Sequence, residues 1–118
     1  MPNSILSKHI ADKVLDLNDL RVFAYVASHA SFSMAADALQ IHKSSVSRSI
    51  TRLESMLETP LIQRTTRKVQ LTRCGMALKV RSVEILSRVN DSIAYIGSIN
   101  DAQSKRHGGE QGLRMQGA

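Results

Sequence analysis

The chain has 118 residues, a formal net charge of +6 and 42% hydrophobic residues, which describes one domain with a tail rather than two domains. No run reaches the ~20 apolar residues of a membrane span, and two Tyr, two Phe and no Trp argue against a surface that stacks single-stranded bases. Cys74 is the only cysteine, so neither a disulfide nor a thiolate metal cluster is expected and a reducing, cytoplasmic setting fits.

Residues 1–16 read as an N-terminal extension. Lys8, His9, Asp12 and Lys13 interrupt its apolar residues, so it does not match a secretory signal, and Ile5, Leu6, Ile10 and Val14 form at most a weak amphipathic turn with no assignable function. From Leu17 the pattern changes. Leu17, Leu20, Phe23, Ala24 and Ala27 recur at helical steps and predict a first helix over about 18–29, with Asn18 and Asp19 as cap and first-turn acid. Ser31-Phe32-Ser33 breaks the run, and Ser33 is suited to cap a short second helix, Met34 to about Gln40, whose alanines present a small-sided face.

Ile41-His42-Lys43 connects to a third helix over about 43–57, its buried stripe Val46, Ile50, Leu53 and Leu57. Its other face carries Ser44, Ser45, Ser47, Arg48, Thr51 and Arg52. Pro60 stops this helix. Two short runs, Leu61 to Arg64 and Lys68 to Leu71, flank Thr65-Thr66-Arg67 as a small basic hairpin would. Near Thr72 a long amphipathic stretch begins, with Met76, Val80, Val83, Leu86, Val89, Ile93, Ile96 and Ile99 three or four residues apart. A helix over about 73–99 is roughly 40 Å long, more than so small a globule covers, so its stripe is expected to pack on a second copy. The alternative is packing lengthwise on its own three helices. Residues 101–118 are rich in Gly, Gln, Ser and charge and are expected to form a disordered tail. The expected core comprises Phe23, Phe32, Leu39, Val46, Ile50 and Leu53.

The charge is concentrated. From Lys43 to Arg81 there are nine Lys and Arg against Glu54 and Glu58, whereas the flanking stretches nearly cancel. Such a segment is the electrostatic footprint of a polyanion, most commonly nucleic acid. Two short helices joined by a tight connection, the second carrying Ser and Arg outward, followed by a basic hairpin, satisfy the geometry of major-groove recognition. A groove about 12 Å wide admits one helix, and Lys43, Ser44, Ser47 and Arg48 occupy the turns that must supply the contacts. Arg64, Arg67 and Lys68 are then placed for flanking phosphate or the adjacent minor groove. Arg52 either joins this surface or pairs with neighbouring acids on its own helix face.

Three motifs, Ser31 to Leu39, Ser45 to Glu54 and Pro60 to Gly75, taken in order and spacing, resemble the N-terminal domain of LysR-type bacterial transcription regulators, over about Leu17 to Asn100. The resemblance implies a mainly α fold, a winged helix-turn-helix over 17–72 followed by a linker helix over 73–100 that pairs into a dimer. It also implies that Lys43, Ser44, Ser47 and Arg48 face DNA from the recognition helix and Arg67 from the wing, with Arg64 supporting backbone contact.

Departures from the family pattern are His42 and Lys43, where Ser and Gln are common, and Glu58, where Gly is favoured; at Glu58 either the turn differs or stability is slightly lower. The implied partner is double-stranded DNA bearing an inverted repeat, bound by a homodimer through Val80, Val83, Leu86, Ile93 and Ile96. Typical relatives continue into an effector-binding domain that these 118 residues do not contain, so no small-molecule effector, cofactor or membrane partner is expected. A competing reading is a protein-interaction module that forms mixed dimers with full-length relatives. The four scattered His residues offer no metal-ligand spacing, and the serines near His42 lack an orienting carboxylate, so neither a metal site nor catalysis is expected.

Overall fold

The computed structural model describes residues 15–64 and 68–107. The elements run α1 (Leu17–His29), α2 (Phe32–Leu39), α3 (Lys43–Leu57), β1 (Ile62–Gln63), β2 (Gln70–Leu71) and α4 (Arg73–His107). Helices α1, α2 and α3 pack on one another in all three pairings, and the two strands form an antiparallel pair in which Ile62 faces Leu71 and Gln63 faces Gln70. This is the winged helix-turn-helix expected above. The Ile5 to Val14 turn and the hairpin tip at Thr65-Thr66-Arg67 lie outside the described residues.

The chain divides into two compact units, residues 1–83 and 84–118. In the first, Leu20, Phe23 and Val26 of α1 meet Ala35 and Ala36 of α2 and Val46, Ile50 and Leu53 of α3, all buried. The small side chains of Ala35 and Ala36, both buried, let α2 pack closely on its neighbours. Phe32 and Leu39, expected in the core, are only partly buried and pack against its edge, and Leu57, expected on the buried stripe, is exposed.

Two caps differ from expectation. Helix α1 is capped by Asp16, whose carboxylate accepts from Asn18 N–H at 2.8 Å, and not by Asn18. Helix α2 is capped by Ser31, whose Oγ accepts from Met34 N–H at 3.0 Å, and not by Ser33. A capping oxygen must lie two or three residues before its donor, so each helix starts as soon as an upstream Asp or Ser can reach. Helices α1, α2 and α3 all end on left-handed, non-glycine residues, Ala30 (φ 52°), Gln40 (φ 57°) and Glu58 (φ 55°). The turn at Glu58 is therefore kept despite the missing glycine: its N–H donates to Ser55 O at 3.2 Å and Thr59 N–H donates to Glu54 O at 3.1 Å, closing the helix in the usual way.

The wing is tied to the start of α4. Thr72 N–H donates to Leu61 O at 2.9 Å, Thr72 Oγ1 donates to Pro60 O at 2.8 Å and also accepts from Gly75 N–H at 3.0 Å. Gly75 is required here, because a Cβ on it would lie 2.1 Å from Leu61 O. Beyond this anchor Leu78 packs against the core, while Met76, Val80 and Val83 are exposed.

In the second unit α4 continues, with Ile93 (65%) and Ile96 (62%) exposed and Leu86 half-buried. The helix runs on to His107, so residues 101–107 are not the disordered segment expected. An apolar stripe ends at Ile99, but a helix needs no buried face to continue, and Asp101 to His107 contains neither Gly nor Pro to break it. Among the described residues no helix is long and apolar enough to cross a membrane.

Candidate nucleic-acid interface

At 3.6 residues per turn, the 15 residues of α3 divide into four faces. Val46, Ile50 and Leu53 point into the core. Opposite them Ser44, Arg48, Thr51 and Ser55 are exposed. Lys43, Ser47 and Glu54 make the flank toward the wing, and Ser49 and Arg52 the flank toward α1.

The α1 flank is held by an ion pair. Arg52 forks onto Asp19, Nε to Oδ2 at 3.1 Å and Nη2 to Oδ1 at 2.9 Å, and Nη2 also donates to Ser49 Oγ at 3.3 Å. The Asp19 side chain is 4% exposed and that of Arg52 57%, so the acid is interior and the guanidinium reaches in from the surface. The Asp19 hydrogen bond and charge raise the Arg52 pKa above its ordinary value. Arg52 thus pairs with an acid, but with one on α1 and not on its own helix face as expected, and the pair ties α3 to α1.

The wing flank is held by Glu54. Its Oε2 accepts from Leu61 N–H at 2.7 Å and Ile62 N–H at 3.1 Å, and its Oε1 accepts from Arg64 Nη2 at 2.7 Å. Burial by itself pushes this carboxyl's pKa up, but the bonds from Leu61, Arg64 and Ile62 outweigh it and leave the pKa lowered. One carboxylate thus fixes the root of the wing against α3, and Arg64, its side chain 50% exposed, still presents part of its guanidinium outward.

Between α3 and the wing lies an open depression of about 470 Å3. Ser31, the N-cap of α2, and Ser33 in its first turn line it from one side, Lys43 and Ser47 from α3, and Arg64 and Lys68 from the wing. Three cations and three hydroxyls around one concavity suit an anion. The start of α3 adds to this. His42 makes no side-chain capping bond, so no side chain of its own fills the positive N-terminus of the helix.

The structure therefore brings Lys43, Ser47, Arg64 and Lys68 to one groove and Ser44 and Arg48 to the adjoining outer face. Arg48 Nη2 donates to Ser45 Oγ at 3.2 Å, which steadies it along the helix. Arg67 lies outside the described residues. Sequence reasoning missed Ser31 and Ser33 as groove residues, because ending the first helix gave Ser31 a sufficient role and capping gave Ser33 one, and it gave Thr51 no role although it shares the outer face with Arg48. The only available signal for Thr51 was its spacing from Ser44 and Arg48.

Comparison with known proteins gives concordant matches. A model described as bacterial regulatory helix-turn-helix protein, lysR family, matches residues 17–76. The uncharacterized HTH-type transcriptional regulator YhjC of Escherichia coli (strain K12) is 44% identical over 75 residues, 64% of this chain and 25% of that one. An uncharacterized HTH-type transcriptional regulator in the ibpB-leuC intergenic region of Azotobacter vinelandii is 37% identical over 92 residues, 78% of this chain and 64% of that one. The chain thus spans between a quarter and two thirds of the length of these relatives. Among solved structures, the BenM_DBD/catB site 1 DNA complex matches with a TM-score of 0.71 at 32% identity, over 73% of this chain and 96% of that chain. Full-length BenM matches with 0.65 at 34% identity, over 68% of this chain and 26% of that chain.

Proposed function

The chain belongs to the LysR family of bacterial regulatory helix-turn-helix proteins, and from that premise we infer that it binds double-stranded DNA sequence-specifically as a homodimer, with one α3 in the major groove of each half of an inverted repeat. The observation that carries this reading is the cationic groove between α3 and the wing beside the exposed Ser44–Arg48 face. A helix set in a major groove and a wing reaching the next minor groove straddle one sugar-phosphate strand, and Lys43, Arg64 and Lys68 supply the charge that strand requires. Arg67, at the hairpin tip in sequence, is assigned to that minor groove, where a narrow A/T-rich segment has enhanced negative potential.

Dimerisation is assigned to Val80, Val83, Leu86, Ile93 and Ile96. Val80, Val83, Ile93 and Ile96 are exposed over 52–65% of their surface, an apolar load that an isolated chain leaves in water. Two-fold pairing presents two recognition helices and so reads an inverted repeat. The same stripe also supports a second reading, mixed dimers with longer relatives that compete for the same partner.

Gel shift and analytical ultracentrifugation on the purified chain decide between them. A dimer at micromolar concentration that shifts one inverted-repeat duplex is expected, with Val83→Glu plus Ile93→Glu giving monomers. A dimer that shifts no DNA supports the interaction module, and a monomeric wild type refutes the dimer assignment.

A further inference from the structure

Two faces of α3 meet DNA differently, and we propose that Lys43 binds the sugar-phosphate strand without reading bases, while Thr51 is a further specificity-determining residue on the base-reading face with Ser44 and Arg48. The inference rests on the reading that the chain binds double-stranded DNA.

Lys43 lines the groove with Ser47, Arg64 and Lys68, on the side of α3 from which Glu54 grips the wing. Neighbouring major and minor grooves are separated by one sugar-phosphate strand, so a helix in one and a wing at the other leave that strand in the space between them. Lys43 is on the wall of that space. An ammonium there is a point charge with three rotatable donors, suited to a phosphate oxygen and indifferent to the base behind it.

Thr51 is exposed and follows Ser47 by one turn. With Ser44, Arg48 and Ser55 it lies on the meridian opposite Val46, Ile50 and Leu53, the line that penetrates deepest when the helix enters a groove edge-on to its core. The nearby side-chain hydrogen bond runs from Arg48 Nη2 to Ser45 Oγ and does not engage Thr51. Threonine offers a base edge both a hydroxyl and a methyl, the latter able to pack on the thymine C5-methyl. Arg52, one residue on, belongs to the opposite flank through Asp19 and contributes no base reading.

The test is selection from a randomised duplex library by the wild-type chain, Lys43→Ala, Lys43→Gln and Thr51→Ala, followed by titration of each on the enriched duplex and on random duplex over a range of salt. Both substituted positions are exposed, and thermal unfolding of each variant alongside the wild type shows that the fold is retained. Lys43→Ala and Lys43→Gln are expected to enrich the wild-type sequence, to lose affinity on both duplexes by the same factor, about fivefold, and to flatten the salt slope by about one per half-site. Thr51→Ala is expected to relax the preference at one base pair per half-site, with about fivefold or greater loss on the enriched duplex and an unchanged salt slope. A changed enriched sequence with an unaltered salt slope for the Lys43 variants, or an unrelaxed preference for Thr51→Ala, overturns the assignment. A wild-type chain that enriches no sequence refutes the proposed function itself, a result visible without any variant.

Discussion

Replacing Gly75 by Ala tests how the wing is joined to α4. A Cβ at this position would stand 2.1 Å from Leu61 O, 3.0 Å from Leu61 C and 3.2 Å from Leu71 Cβ. An ordinary contact with that oxygen needs more than an ångström of separation to be gained, and the obstacle is backbone, which cannot rotate aside. The start of α4 must withdraw, which strains or breaks the bonds from Thr72 to Leu61 O and Pro60 O. Losing two such bonds costs about 1–3 kcal/mol, and overpacking costs about 1–3 kcal/mol more. Alanine's helix propensity returns about 1 kcal/mol. The net expectation is a loss of about 3 kcal/mol in urea unfolding at matched protein concentration. Gly97→Ala is the control. Within the chain nothing lies within 4 Å of a Cβ there, so the helix itself gains about 1 kcal/mol of propensity without a clash against Leu61. A Gly75→Ala chain as stable as the wild type would refute the close approach of α4 to Leu61.

Glu58→Gly relieves a left-handed residue at φ 55° and is expected to raise stability by about 1 kcal/mol in urea unfolding, with Glu58→Ala giving no such gain. For Glu54 the folded pKa is lowered by its bonds to Leu61, Arg64 and Ile62, so the folded state binds fewer protons than the unfolded chain through the carboxylate range. Its stabilisation is complete above the unfolded value, about 4.3, and fades as pH falls through the lowered one; Glu54→Gln should therefore flatten the dependence of the urea midpoint on pH between neutral and about 3. Arg52→Ala strands the buried Asp19 carboxylate and should lower the thermal midpoint more than Asp19→Asn plus Arg52→Ala, while leaving the salt slope of DNA binding unchanged. A reduced salt slope with an unchanged midpoint would return Arg52 to the DNA surface.

Helices α1, α3 and α4 were legible because amphipathic spacing is a property of the chain itself: Val46, Ile50 and Leu53 mark the buried stripe of α3 in the sequence and are buried in the structure. The wing was legible as two short runs around Thr65-Thr66-Arg67, although its strands of two residues each are shorter than the four-residue runs read from the sequence. Caps were misplaced by two residues because Ser31 and Ser33, or Asp16 and Asn18, are chemically equivalent candidates, and only backbone geometry chooses between them. Phe32 and Leu39 look like core residues from hydrophobicity alone, but α2 is 8 residues long and its alanine face takes the interior.

Arg52 shows the limit most clearly. A basic residue on the polar side of a recognition helix has the same sequence signature whether it meets phosphate or an interior carboxylate, and its partner Asp19 lies 33 positions away. The groove is a similar case, since Ser31, Lys43 and Arg64 converge only once three separate elements have packed.

The central claim, that the outer face of α3 reads DNA sequence, is tested most directly by titrating the wild-type chain and Arg48→Ala on the duplex enriched by the wild type and on a shuffled duplex of the same length at one salt concentration. Arg48 is exposed on that face, and a good bidentate base contact is worth about 1–3 kcal/mol. The account predicts that Arg48→Ala weakens the enriched duplex about tenfold more than the shuffled one. Equal losses on both would contradict it.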